Sequence, residues 1–104
     1  MQSNGIQAGT LLKGKVATIT GAGRGIGRDI ALAYARHGAA VSIGDINAES
    51  ADTTAQEIRD LGGQALGMAL DVTEPESVSA YFEATARAFG ALDIHVNNAG
   101  ISSN

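Results

Sequence analysis

Cysteine is absent from the 104 residues. That excludes disulfides, thiolate metal sites, iron–sulfur clusters and a cysteine nucleophile. Histidine occurs only twice, at His37 and His95, too few for a histidine-rich centre, so no metal site is expected. Tryptophan is missing and proline occurs once. Seven Lys and Arg face 11 Asp and Glu, a net charge of −4. With no basic run, no nucleic-acid partner is expected. No apolar run reaches the roughly 18 residues of a membrane span, and no membrane association is expected. Residues 1–14 hold no apolar stretch of signal-peptide length, so the expected location is the cytoplasm. What is present is globular: 44% hydrophobic residues against 17% charged ones place the chain outside the disordered class. The length allows one small domain with a real core.

Residues 1–14 read as a flexible lead, because Ser3, Asn4, Gly5 and Gly9 follow no period. From Lys15 the pattern becomes regular. Val16 to Thr20 is a short β-prone run. Gly21-Ala22-Gly23-Arg24-Gly25-Ile26-Gly27 follows at once. A helix comes next, with Ile26, Ile30, Ala33, Tyr34 and His37 on one face and Gly38 as its stop. Ala40 to Gly44 forms a second strand ending at Asp45. Asn47 caps a helix from about Ala48 to Leu61, whose buried stripe is Ala51, Ala55, Ile58 and Leu61. Ala65 to Leu70 is a third strand, closed by Asp71-Val72. Thr73-x-x-Glu76 has the capping-box pattern, and Pro75 suits a first turn. Val78, Tyr81, Phe82, Thr85 and Phe89 share the face of a third helix. Leu92 to Val96 is a fourth apolar run, broken by Asn97-Asn98-Ala99-Gly100.

The order β-α-β-α-β-α-β, with short apolar strands, predicts an α/β fold: a parallel sheet covered by helices on both faces. Right-handed crossovers give the strand order 3-2-1-4, the first half of a Rossmann-like doubly wound sheet. Residues 15–104 are then a partial dinucleotide-binding domain.

The glycine loop carries the chemistry. It leaves a strand and opens a helix, the context that dinucleotide binding demands. Glycines there let the backbone approach a pyrophosphate, and the helix N-terminus offers free N–H groups and partial positive charge. Arg24 can add a charge-assisted phosphate contact. A plain strand–helix turn needs fewer glycines. No Gly-Lys-Ser/Thr follows, which argues against a nucleoside triphosphatase. The methyltransferase loop usually has an acidic residue two positions before its first glycine, where this chain has Ile19.

Asp45 lies 18 residues beyond Gly27, at the end of the second strand. A carboxylate there accepts hydrogen bonds from the adenosine ribose and repels a 2′-phosphate, which favours NAD over NADP. Arg24 pulls weakly the other way. Asp71, at the end of the third strand, has two readings that the residues leave open. It can accept from the adenine amino group with Val72 packed on the ring, or it can be an acid placed ahead of a helix start.

Thr20-Gly21-Ala22-Gly23-Arg24-Gly25-Ile26-Gly27 resembles the cofactor loop of the short-chain dehydrogenase/reductase family. Asp71-Val72 and Asn97-Asn98-Ala99-Gly100 resemble two further marks of that family, in order and at fitting spacing. The resemblance implies that Gly21, Arg24, Gly25, Ile26 and Gly27 line the pyrophosphate. It implies further that Asp45 selects NAD, that Asp71 and Val72 hold adenine, and that Asn98, Ala99 and Gly100 pass close to the ribose and brace the sheet. Family members are well over twice as long. Their chemistry rests on a serine after the fifth strand, a Tyr-x-x-x-Lys pair and a helical asparagine. Tyr34 and Tyr81 are followed four residues later by Gly38 and Thr85, so no catalytic residue is assigned.

Three readings follow. In the first, the chain is the cofactor-binding part of an enzyme moving hydride between NAD(P) and a secondary alcohol or ketone. That enzyme is expected to be a homo-oligomer when complete, and these 104 residues alone inactive. In the second it is a non-catalytic dinucleotide-binding module. In the third it is an inert fragment, whose fourth strand leaves an unpaired edge.

Overall fold

The computed structural model describes residues 10–99. The elements run β1 (Val16–Thr20), α1 (Gly25–Arg36), β2 (Ala40–Asp45), α2 (Ala48–Asp60), β3 (Ala65–Ala69), α3 (Pro75–Phe89) and β4 (Ile94–Asn97). All strand pairs are parallel and the sheet order is β3-β2-β1-β4. This is the predicted Rossmann-like arrangement. In register, Thr20 lies beside Gly44 on one side and Asn97 on the other, and Asp45 beside Ala69. The carboxyl ends of the four strands therefore share one edge, the edge where open α/β sheets bind ligands.

Side chains alternate across the sheet. Ile19, Val41 and Ile43 point to the face covered by α1 and α2, where they pack on Ala31, Leu32, Ala35, Ala51, Ala55 and Ile58. Each isoleucine buried there contributes about 2 kcal/mol. Ser42 points the other way, and its hydroxyl meets the Thr85 hydroxyl of α3 at 2.6 Å. Tyr81 of α3 is fully buried on that face. Its hydroxyl donates to the Ser42 carbonyl at 2.6 Å and accepts the Ile19 N–H at 3.2 Å. Burial pushes the Tyr81 phenol up to about 12, because the phenolate would lose its water.

Several local expectations are corrected. The inward face of α1 is Gly27, Ala31, Leu32 and Ala35, while Ile26 and Ala33 are exposed. Small residues face the sheet because they let the helix lie close to it, and the larger Ile26 is released to the loop side. Leu61 caps α2 and is exposed, and Thr54 takes a place in the buried stripe. The capping box does not form: Glu74 is the N-cap of α3 and makes no side-chain cap. The Thr73 hydroxyl is already engaged, donating to Asp71 Oδ1 at 2.6 Å. The fourth strand starts at Ile94, and Leu92 lies exposed ahead of it. Asn47 does cap α2, its side chain accepting the Ser50 N–H at 3.0 Å.

Of the lead expected over residues 1–14, residues 1–9 lie outside the described residues. Residues 10–14 form a turn in which the Leu12 N–H donates to the His37 carbonyl at 2.8 Å and the Leu12 side chain packs on the core.

Candidate functional site

The strand edge is closed by two loops tied together. After β1, the Gly21 N–H donates to the Gly44 carbonyl of β2 at 2.7 Å. The loop after β4 then locks onto this turn. Asn98 Nδ2 donates to the Gly21 carbonyl at 3.0 Å, and the Ala99 N–H donates to Thr20 Oγ1 at 3.1 Å. Gly27 sits where this junction is tightest. A Cβ there would collide with the Gly21 carbonyl and lie 2.6 Å from Asn98 Nδ2. Gly25 is required for a different reason: its φ is +63° in open space, so conformation and not room demands glycine.

Helix α1 starts at Gly25 with Arg24 as N-cap, without a side-chain cap and without an acidic residue in its first turn. Its first N–H groups have no intrahelical acceptor. The positive end of the helix is thus left open to an outside anion.

In front of it lies a cleft of about 590 Å³. Gly21, Arg24, Gly25 and Ile26 line one wall, Asp45 and Ile46 a second, Leu70 to Thr73 a third, and Asn98 and Ala99 the fourth. Three large apolar side chains stand exposed around it: Ile26 and Ile46, each at 69%, and Val72 at 45%. Isolated exposed aliphatics are ordinary, but three converging on one cleft offer a platform for a flat apolar ring.

Asp45 is nearly buried at 6% exposure. Its Oδ2 accepts the Gly23 N–H at 3.0 Å and its Oδ1 accepts the Asn47 N–H at 2.9 Å. Each carboxylate oxygen has a second lone pair, so acceptor capacity remains toward the cleft. Asp71 is half-exposed. Its Oδ1 accepts from the Thr73 hydroxyl and from the Thr73 N–H, at 2.6 and 3.0 Å. Those two bonds, the hydroxyl first, hold its carboxyl below the usual aspartate range.

Of the residues singled out by sequence, Gly21, Arg24, Gly25, Ile26, Asp45, Asp71, Val72, Asn98 and Ala99 are brought together on the cleft. Ala22, Gly23 and Gly27 are placed behind the loop and do not line it, Gly27 included among those expected at the pyrophosphate. Gly100 lies outside the described residues. Ile46, Leu70 and Thr73 line the cleft without having been anticipated. Ile46 was legible as the apolar residue directly after Asp45, whereas the pattern around Thr73 points to a helix cap. His95 lies away from the cleft, with Nδ1 2.8 Å from Thr18 Oγ1 and its ring edge on Phe82. Among the described residues, no group of three or more His, Asp or Glu is placed to hold a metal ion. No helix among them is long and apolar enough to cross a membrane.

A family model described as short chain dehydrogenase matches residues 15–104. Among curated proteins, the chain is 47% identical over 89 residues to 7alpha-hydroxysteroid dehydrogenase of Escherichia coli (strain K12). That match covers 86% of this chain and 35% of the relative. It is 49% identical over 88 residues to cis-4-hydroxycyclohexanecarboxylate dehydrogenase of Sinomonas cyclohexanicum, covering 85% of this chain and 35% of the relative. A crystal structure of hydroxysteroid dehydrogenase from Escherichia coli superposes with a TM-score of 0.81 at 45% identity. It covers 83% of this chain and 37% of that one. The chain spans about a third of the length of these relatives.

Proposed function

The chain belongs to the short chain dehydrogenase family of oxidoreductases, which use NAD(H) or NADP(H), and on that premise we propose that the cleft binds NAD. The observation that carries this reading is the pairing of an uncapped helix N-terminus with the Asp45 carboxylate on one cleft. The residues fit the cofactor's parts. Gly21, Arg24, Gly25 and Ile26 would hold the pyrophosphate, with Ala22, Gly23 and Gly27 shaping the loop behind them. Asp45 would hold the adenosine ribose and disfavour a 2′-phosphate. Asp71 and Val72 would hold adenine beside Ile46. Asn98, Ala99 and Gly100 would run beside the second ribose.

When bound, NAD supplies the hydride acceptor. The chain's own residues bind and orient it, and no proton-transferring group among residues 10–99 is assigned to the cleft. We propose that the substrate is a small secondary alcohol or ketone, as the named relatives' dehydrogenase activities suggest. We propose that the proton transfer is made by residues in the part of the family fold that this chain does not span, and that the 104 residues alone bind without turnover. A homo-oligomeric, cytoplasmic enzyme is the setting we propose for the whole protein. A non-catalytic binding module shares the same cleft and is separated by chemistry: it binds the cofactor but its gene encodes no serine and Tyr-x-x-x-Lys beyond residue 104. Titration calorimetry of the chain with NADH and NADPH tests the binding reading. Tighter binding of NADH supports it. No binding at millimolar ligand, or tighter binding of NADPH, overturns it.

A further inference from the structure

We propose that Thr54, on α2 and outside the cleft, is a positioning residue for dinucleotide binding. It holds the Gly23–Arg24 peptide so that the Arg24 N–H turns away from α2 and toward the ligand. The inference rests on the reading of the cleft as a dinucleotide site.

Thr54 is fully buried, and its neighbours along the inward stripe, Ala51, Ala55 and Ile58, are apolar. A hydroxyl in such a stripe is costly unless it is bonded. The usual partner for a helical threonine is the carbonyl four residues back. Thr54 instead donates to the carbonyl of Gly23, 31 positions away, at 3.0 Å. The N–H of the same glycine is held by Asp45 Oδ2 at 3.0 Å. Gly23 is therefore fixed at both of its polar groups by elements other than its own loop. Ser50 closes a further side, since a Cβ on Gly23 would lie 2.6 Å from Ser50 Cβ. The first half of α2 thus forms a mould for the glycine loop.

The consequence follows from peptide geometry. The chain has no cis peptide bond among the described residues. In a trans peptide the C=O and the next N–H point in opposite directions. With the Gly23 carbonyl turned into α2, the Arg24 N–H is turned out from it. Arg24 lines the cleft, and among the described residues its N–H meets no acceptor. That donor joins the open N-terminus of α1 facing a pyrophosphate. Without the Thr54 hydroxyl the Gly23 carbonyl is left buried and unpaired, and a peptide flip that would bury the Arg24 N–H instead is no longer opposed.

Thr54→Val keeps the shape and removes the hydroxyl, whereas Thr54→Ser keeps the hydroxyl. Dissociation constants of the full chain are measured by NMR titration with ADP, which carries the pyrophosphate, and with adenosine, which does not. The expected result is that Thr54→Val weakens ADP about tenfold, the scale of one lost buried hydrogen bond, and leaves adenosine unchanged. Thr54→Ser restores ADP binding. Thr54→Ala gives the same comparison should valine not be accommodated. Equal ADP affinity in Thr54→Val and the unsubstituted chain overturns the inference, as does an equal loss for ADP and adenosine. Failure of the unsubstituted chain to bind ADP and NADH overturns the dinucleotide reading, and this inference with it.

Discussion

Asp45 Oδ2 lies 3.0 Å from the backbone nitrogen of Gly23, so the carboxylate at the end of β2 holds the loop at the end of β1. Its other oxygen accepts the Asn47 N–H at the entry to α2. One nearly buried side chain thus ties the glycine loop to the entry of α2, and under the proposed reading it would couple cofactor selection to loop shape. On that reading, a substitution meant to change selectivity would also disturb the loop proposed to hold the phosphates.

Asp45→Ala tests that coupling. NADH affinity should fall about tenfold, NADPH affinity should fall less, and the gap between them should narrow. Stability should drop by about 1–3 kcal/mol, since the Gly23 N–H loses its buried acceptor. Calorimetry with both dinucleotides, together with urea denaturation, gives the two readings. Unchanged affinity for both cofactors would remove Asp45 from the site.

Gly27→Ala and Gly25→Ala separate room from conformation. At Gly27 the new methyl meets the Gly21 carbonyl and the Asn98 side chain, so the β1–α1 turn and the β4 loop must both shift. Overpacking of this kind costs about 1–3 kcal/mol, and dinucleotide binding should be lost with it. At Gly25 space is open and only the positive φ is strained, costing about 1–2 kcal/mol. Urea denaturation of both variants, followed by NADH titration, checks the pair. Native stability and binding in Gly27→Ala would contradict the close approach.

The contrast between these glycines marks how much the sequence disclosed. The alternation of strands and helices and the placement of Gly21 to Gly27 were legible because each depends on local pattern. The strand order followed from handedness. Gly27 looks like a ligand contact in the sequence because spacing along the chain does not distinguish a residue on the cleft from one behind it. The inward face of α1 departs from the periodic one because Ile26 is apolar. Hydrophobicity points such a residue to the core, yet the cleft is the surface it faces. Thr54 was invisible for the opposite reason: its partner, the Gly23 carbonyl, is a backbone group that no residue pattern announces. Thr73 resembles a cap because its hydroxyl suits that role, while the structure gives it to Asp71.

Thr73→Val tests the Asp71 turn. The Thr73 hydroxyl is the larger of the two causes that lower the Asp71 carboxyl, and the Thr73 N–H is the smaller. Removing the hydroxyl should raise the Asp71 pKa toward the ordinary aspartate value while leaving part of the depression. The sign on stability follows. A carboxyl lowered in the fold stabilises it above the unfolded aspartate value, and that contribution is lost as pH falls through the folded value. Thr73→Val should therefore show a smaller loss of stability on acidification. Carbon-detected NMR titration of the Asp71 carboxyl reads the change directly, and identical titration curves would contradict the bond.

Tyr81 gives the mirror case at high pH. Its phenol is fully buried between β1, β2 and α3, where desolvation raises it to about 12, against the opposing hydrogen bonds to Ser42 and Ile19. A group raised in the fold contributes stability that is complete below its unfolded value, about 10, and lost as pH rises through its folded value. A rise of that size corresponds to about 3 kcal/mol, lost between pH of about 10 and 12. Tyr81→Phe has no phenol to titrate. At neutral pH it should be destabilised by about 1–3 kcal/mol, because the Ser42 carbonyl and the Ile19 N–H lose their buried partner. Above pH of about 10 the unsubstituted protein should weaken faster than the variant, so the two stabilities converge as pH approaches about 12. Urea denaturation of both proteins across that range measures the difference and cancels the other titrating groups common to them. Parallel curves would show that Tyr81 ionises in the folded protein as readily as in the unfolded one, and the phenol would then not be the buried donor that joins α3 to the sheet.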